Sequence, residues 1–152
     1  MEEIVRYEYF LLIFIKIGKG FFMIELILPW PPSVNHYKRI GRTIATKNGK
    51  MYQQRVNSKE TVGFYYEVWL KIHAYKGIKR INMPLESTIS MEVYLHPPDN
   101  RKRDIDNPIK VLLDSLVRGG LLKDDSQISR LLIERRDIIA QGQVVVKIEE
   151  EA

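Results

Sequence analysis

Between Arg101 and Leu116 the chain reads RKRDIDNPIKVLLDSL, three cations set against two aspartates spaced two apart. Asp104 and Asp106 stand where an apolar helical pattern begins, and Lys110 and Asp114 follow Asp106 at one and two turns. In extended chain Asp104 points the same way as Asp106. Beyond Gly119-Gly120 comes LLKDDSQI, which sets Asp124 and Asp125 in a turn. The helix and its return loop are expected to bring one of these two back toward the first pair. Taken singly, each feature has an ordinary structural use. Asp104 or Asp106 can cap a helix, a role worth roughly 1 kcal/mol, Lys110 and Asp114 make an i,i+4 pair, and Asp124-Asp125 makes a turn. Taken together, carboxylates held close repel one another and stay ionised when a cation joins them.

Oxygen ligands with no cysteine in the chain and no histidine nearby favour Mg²⁺ or Mn²⁺ over Zn²⁺. A carboxylate-bound cation of that kind polarises a phosphoryl oxygen and activates a water. Lys110 would add positive charge against the transition state or orient the attacking water. Arg101, Lys102 and Arg103 would grip flanking phosphates. The spacing therefore points to a metal-dependent phosphodiesterase.

The charge distribution agrees. The formal net charge is +5, and it is clustered. Between Lys38 and Glu60 stand seven Lys or Arg against one acid, Glu60 itself. Lys76, Lys79 and Arg80 form a second basic patch, and Arg101 to Arg103 a third. Such clustering suits a polyanionic partner, most simply nucleic acid; a solvated basic surface is the plainer alternative. The absence of cysteine excludes disulfides and thiolate metal sites and suits a cytoplasmic location.

Residues 1–22 differ from the rest. Tyr9 to Ile15 is an apolar run, far short of the roughly 20 residues that span a bilayer. Glu2 and Glu3 stand where a secretory signal would carry a basic start. We expect this segment to be an extension created by an upstream start, with Met23 the natural beginning. Lys19-Gly20 can be encoded by a purine-rich stretch like a bacterial ribosome-binding site, and the gene's codons test that reading.

From Met23 onward, the elements that must position the acids are legible in outline. Ile24, Leu26 and Leu28 alternate in a strand ended by prolines. Tyr37 to Tyr52 reads as a hairpin turning at Asn48-Gly49. A helix is expected from about Gln54 to Tyr75, with Val62, Tyr65, Tyr66, Trp69, Ile72 and His73 on its buried face, which makes His73 a core-edge residue rather than a ligand. Ser87 to Leu95 alternates as a half-buried strand. Ile105, Ile109, Leu112, Leu113 and Leu116 set a helix that Gly119-Gly120 stops. Strands follow at about Ser129 to Ile138 and Gln143 to Ile148. The sum is one α/β (α+β) domain over residues 23–152, a mixed β-sheet packed with two main helices.

Three blocks in this order and spacing resemble the RusA family of Holliday junction resolvases, small endonucleases common in bacteria and their prophages. They are LPWPPSVNHYKR at Leu28 to Arg39, RDIDNPIKVLLDSL at Arg103 to Leu116, and LLKDDSQI at Leu121 to Ile128. The resemblance implies a homodimer that binds four-way DNA junctions and makes paired nicks with Mg²⁺. It maps the family's metal-binding acids onto Asp104, Asp106 and Asp125, and its essential lysine onto Lys110. Asp124 is left a loop-supporting role, and Asn107 matches the family's DxDN pattern with a helix-start role as its alternative. For Asn35, Tyr37 and Arg39 it implies DNA contact or site shaping, beside the alternative of a proline-rich turn exposing polar groups. The extension before Met23, and Lys123 ahead of the acid pair, depart from the pattern. Two other readings stand beside it: a catalytically silent junction-binding protein, and a metal-dependent phosphohydrolase of small nucleotides. The first needs a damaged acid, and the second has no use for the basic surface.

Overall fold

The computed structural model describes residues 23–33, 38–79 and 82–151. The extension expected at residues 1–22 lies outside them. In chain order the elements are β1 (Met23–Pro29), β2 (Lys38–Ala45), β3 (Met51–Asn57), α1 (Lys59–Lys79), β4 (Ile89–His96), α2 (Ile109–Arg118), a 3-10 turn (Asp125–Gln127), β5 (Ile128–Arg135) and β6 (Gln143–Glu150). Four strands form one sheet in the order β1-β6-β4-β5, while β2 and β3 form a separate ribbon. β6 runs antiparallel to both β1 and β4, and β5 runs parallel to β4. This is the expected α+β fold with a mixed sheet.

Strict alternation builds the core. Ile24, Leu26 and Leu28 of β1, Ile89, Met91, Val93 and Leu95 of β4, and Val144, Val146 and Ile148 of β6 are all buried. They form one cluster with Phe64, Val68, Ile72 and Tyr75 of α1 and Ile109, Val111, Leu112 and Leu116 of α2. The sheet's other face is half-buried and mixed, Ile27, Val145 and Tyr94 in one row beside Glu25, Lys147 and Glu92 in the next, with Glu25 paired across strands to Lys147 at 3.5 Å. Among the described residues no helix is long and apolar enough to cross a membrane.

Three expectations need correcting. α1 begins at Lys59 rather than Gln54, because β3 runs on to Asn57 and Ser58 then caps the helix, its Oγ accepting from Thr61 N at 3.2 Å. The helix is also rotated from the expected face: Thr61, Phe64, Val68, Ile72 and Tyr75 are buried, and Val62, Tyr66 and Trp69 are exposed. Apolar residues occur around most of its circumference, so helical spacing fits two registers equally well. The face left outward carries an aromatic ladder in which Tyr66 stacks on Trp69 with centroids 6.2 Å apart, and Trp69 meets the exposed His73 at 4.1 Å. The second helix starts three residues after Asp106, at Ile109, and Ile105 lies outside it. Pro108 accounts for this, since a proline opens a helix readily while pushing its predecessor out of the helical region.

A parallel strand pair needs a long crossover. Here the crossover from β4 to β5 runs over residues 97–127, and every acid singled out by the sequence stands on it.

Candidate active site

The crossover leaves β4 at Pro97-Pro98 and is pinned at once. Gly142, with φ +70°, lies so close that a Cβ there would sit 2.9 Å from both Trp30 and Pro98, so only glycine allows this approach. Asp99 then organises the next five residues. Arg103 clasps it with both terminal nitrogens, at 2.7 and 2.9 Å, and Arg101 N donates to it at 2.9 Å. The Arg103 fork, followed by the Arg101 backbone bond, holds the Asp99 carboxyl down at about 2. From β5, Arg135 donates to the Arg103 carbonyl at 2.5 Å, and the Arg103 guanidinium lies 6.0 Å from the Trp30 ring centroid. The result is a polar cleft of about 370 Å³ between Trp30, Asp99, Arg103, Asp104 and Arg135.

The Asp99 fork carries a direct prediction. A carboxyl depressed on folding contributes stability that is complete above its unfolded value, about 3.9, and that is lost as pH falls through the folded value of about 2. A carboxyl carbon titration by NMR is expected to place the Asp99 midpoint near the latter. A midpoint in the ordinary carboxylate range would mean the fork does not form in solution.

Beyond the fork the chain makes two turns, Asn107 N bonding to Asp104 O at 3.3 Å and Ile109 N to Asp106 O at 3.0 Å. Both bonds use backbone carbonyls. α2 has no side-chain cap, so neither aspartate is spent in the role that would have explained it. Among the described residues the carboxylates of Asp104, Asp106 and Asp125 form no hydrogen bond or ion pair, and all three are exposed. Asn107 helps shape the turn through its backbone. Lys110, in the first turn of α2, makes the expected pair with Asp114 at 3.7 Å. Arg101 and Lys102 are exposed, whereas Arg103 is committed to Asp99.

Asp125 lies elsewhere. α2 runs back along the sheet, Gly119-Gly120 stops it, and Leu122 bridges to Leu85 ahead of β4. The next residues are fastened there by Gln127, whose Oε1 accepts from Lys123 N and Asp124 N and whose Nε2 donates to Leu85 O and Ser87 O. Asp124 caps the 3-10 turn through Ser126, which lowers its pKa, and this is the supporting role expected of it. Lys123 faces Glu86 at 3.5 Å. Since β5 is parallel to β4, with Ile128 beside Ile89 and Arg135 beside Leu95, Asp125 stands at one end of the strand pair and Asp104 and Asp106 at the other. β4 spans seven residue steps from Ile89 to His96, which at about 3.3 Å each is roughly 20 Å. The expectation that the return loop brings the acids together fails within one subunit: a parallel crossover returns the chain to the end where the first strand began.

A bound magnesium ion has ligands at about 2.0–2.1 Å, so the three acids of one subunit do not fit a single cation. Consistently, among the described residues no three His, Asp or Glu side chains converge on a metal-sized site. Their chemistry, oxygen donors not otherwise engaged, does suit a hard divalent cation.

Of the other residues singled out, Asn35 and Tyr37 lie outside the described residues. Arg39 is exposed and helps line a cleft of about 600 Å³ at the base of the β2–β3 ribbon, with Pro32, Ser33, Lys38 and Lys59. Sequence reasoning missed Asp99 and Gln127. Asp99 lies four residues before Arg103, but outside any helix, where that spacing carries no expectation of contact. Gln127 was detectable, because Asp124 to Gln127 matches the acid-x-x-Gln capping pattern.

The stretch of sequence that carries the three blocks has counterparts elsewhere. The family described as Endodeoxyribonuclease RusA matches residues 29–149. The crossover junction endodeoxyribonucleases RusA of Enterobacteria phage HK97 and of Escherichia coli (strain K12) are each 28% identical over 130 residues, covering 83% of this chain and 93% of the relative. That of Enterobacteria phage 82 is 28% identical over 128 residues. The match runs from the end of β1 through the ribbon, both helices and the whole crossover into β6, and by it the chain belongs to the RusA endodeoxyribonuclease family.

Proposed function

We propose that this chain is a homodimeric, Mg²⁺-dependent endodeoxyribonuclease that resolves four-way DNA junctions by paired symmetric nicks in recombination and repair, in the cytoplasm. The observation that carries the reading is the division of acids along the crossover. Asp104 and Asp106 stand at one end of the β4–β5 pair, Asp125 at the other, and the fold uses none of their carboxylates. Two subunits related by a two-fold axis can bring the first end of one against the second end of the other, and symmetry then makes two equivalent sites. A four-way junction cut by paired nicks presents two equivalent targets. The apolar face left exposed on α1, with Val62, Tyr66 and Trp69, is surface of the kind that subunits bury.

In this reading Asp104 and Asp106 of one subunit and the partner's acid turn hold the cation. Magnesium, with manganese a substitute, supplies Lewis acidity toward the phosphodiester when bound. Lys110 sits in the first turn of α2, on the side of Asp106, and counters the charge developing on phosphorus or orients the water. The exposed Arg101 and Lys102 hold flanking phosphates. Arg103 positions that loop through Asp99.

The test is a labelled synthetic four-way junction beside a matched linear duplex, each with Mg²⁺ and with EDTA. Symmetric nicks confined to the junction and to the metal are expected. Junction binding without cutting would assign a silent binding protein, and no binding at low salt would turn attention to small phosphate esters.

A further inference from the structure

The β2–β3 ribbon has no counterpart in the role just described. Its strands pair with each other and with no other strand among the described residues. No residue of either strand is buried, and Ile40, Met51 and Tyr52 are all at least half exposed. A lone two-stranded hairpin is marginal in water, so this one needs something to lie against.

Charge identifies the occupant. From Lys38 to Asn57 there are six cations and no acid. Arg39, Arg42, Lys47, Lys50 and Arg55 form no ion pair among the described residues, whereas Arg101, Arg103, Lys110, Lys123, Arg130, Arg136 and Lys147 each face a carboxylate. The cations also lie on both faces. Arg39 pairs with Val56 and Arg55 with Ile40, and because neighbouring residues alternate, the two arginines point to opposite sides. Lys47 and Lys50 bracket the tip, a tight turn in which Thr46 bonds to Lys50 and Gly49, with Gly49 at φ +74°. Pairing two copies through either face would stack like charges. A duplex groove offers the opposite: the major groove, about 12 Å wide, admits a two-stranded ribbon between two rows of phosphates.

Resting on the nuclease reading above, we infer that the β2–β3 ribbon is a DNA-binding arm that enters the groove of a duplex arm of the substrate, with Lys47 and Lys50 at its tip neutralising backbone phosphates. These interactions strengthen binding without selecting sequence.

The experiment compares the full chain with its K47Q/K50Q variant on a labelled junction and a labelled duplex. Both are titrated in EDTA across a salt series, with mass measured by light scattering. The variant is expected to bind both DNAs more weakly, by about tenfold for each phosphate no longer neutralised near 0.1 M salt, with the log-log salt slope flatter by about 0.9 per phosphate, and at unchanged mass. Equal affinity and slope would overturn the inference while leaving the nuclease reading standing. A fall in mass would overturn it by making the ribbon a subunit interface. A parent protein that binds no DNA would remove both.

Discussion

Co-expressing Asp106→Asn subunits with Asp125→Asn subunits is expected to restore junction cutting that neither variant possesses alone. Each variant by itself spoils both sites of a dimer, and loss of a group that supports the charged transition state costs on the order of 10²–10³ in rate. Binding persists in both, because the ribbon cations and Arg101 and Lys102 are untouched. In a mixed dimer the two lesions fall in the same site if Asp106 and Asp125 act across the subunit boundary. The second site then keeps both native acids. Random pairing makes half of the dimers mixed, so about a quarter of the parental sites return. Those sites nick one strand only, and a supercoiled plasmid bearing a cruciform would be relaxed rather than linearised. Absence of any recovery would show that each site is completed inside one subunit, against the separation of roughly 20 Å along β4.

The largest stability effect is expected from Leu112→Ala. Leu112 is fully buried on α2, in the cluster shared by the sheet and both helices. Truncating such a leucine removes its burial and leaves a cavity, at a cost of about 2–5 kcal/mol. For a chain of this size that lowers Tm by roughly 10 °C. Leu131→Ala on the edge strand β5, where the side chain is 38% exposed, is the matched control and should cost well under half as much. Scanning calorimetry decides the comparison, and equal shifts in the two variants would mean that α2 is not fastened to the sheet as described.

Much of the fold was readable because it rests on local periodicity. The alternation of β1, β4 and β6 places one face inside wherever a sheet forms, and Asn48-Gly49 names its own turn. α1 resisted because apolar residues ring it, and a local pattern cannot say which side meets the sheet. Pro108 delayed α2 by a signal that was present but outweighed by the run of Ile and Leu. In the site, the types and spacing of Asp104 and Asp106 were legible, but each still had an ordinary use as a helix cap, and only the structure shows that neither carboxylate is spent that way. Their distance from Asp125 did not. It depends on whether β5 runs parallel or antiparallel to β4, a property of pairing between distant segments that no short stretch encodes. Asp99 was hidden for a related reason, since its pairing with Arg103 depends on the path of an irregular loop held by Arg135 and Gly142.

The length of α2 acquires a meaning from this arrangement. Ten helical residues at about 1.5 Å each measure out roughly 15 Å between the two acid groups. In a two-fold assembly that length must match the offset between subunits, so α2 behaves as a ruler. Inserting or deleting a full turn would leave its buried face intact yet put the acid-bearing ends out of step with the partner subunit at both interfaces at once. The β2–β3 ribbon carries no such constraint. Relatives are therefore expected to differ freely in hairpin length while keeping the spacing from Asp106 to Asp125 fixed.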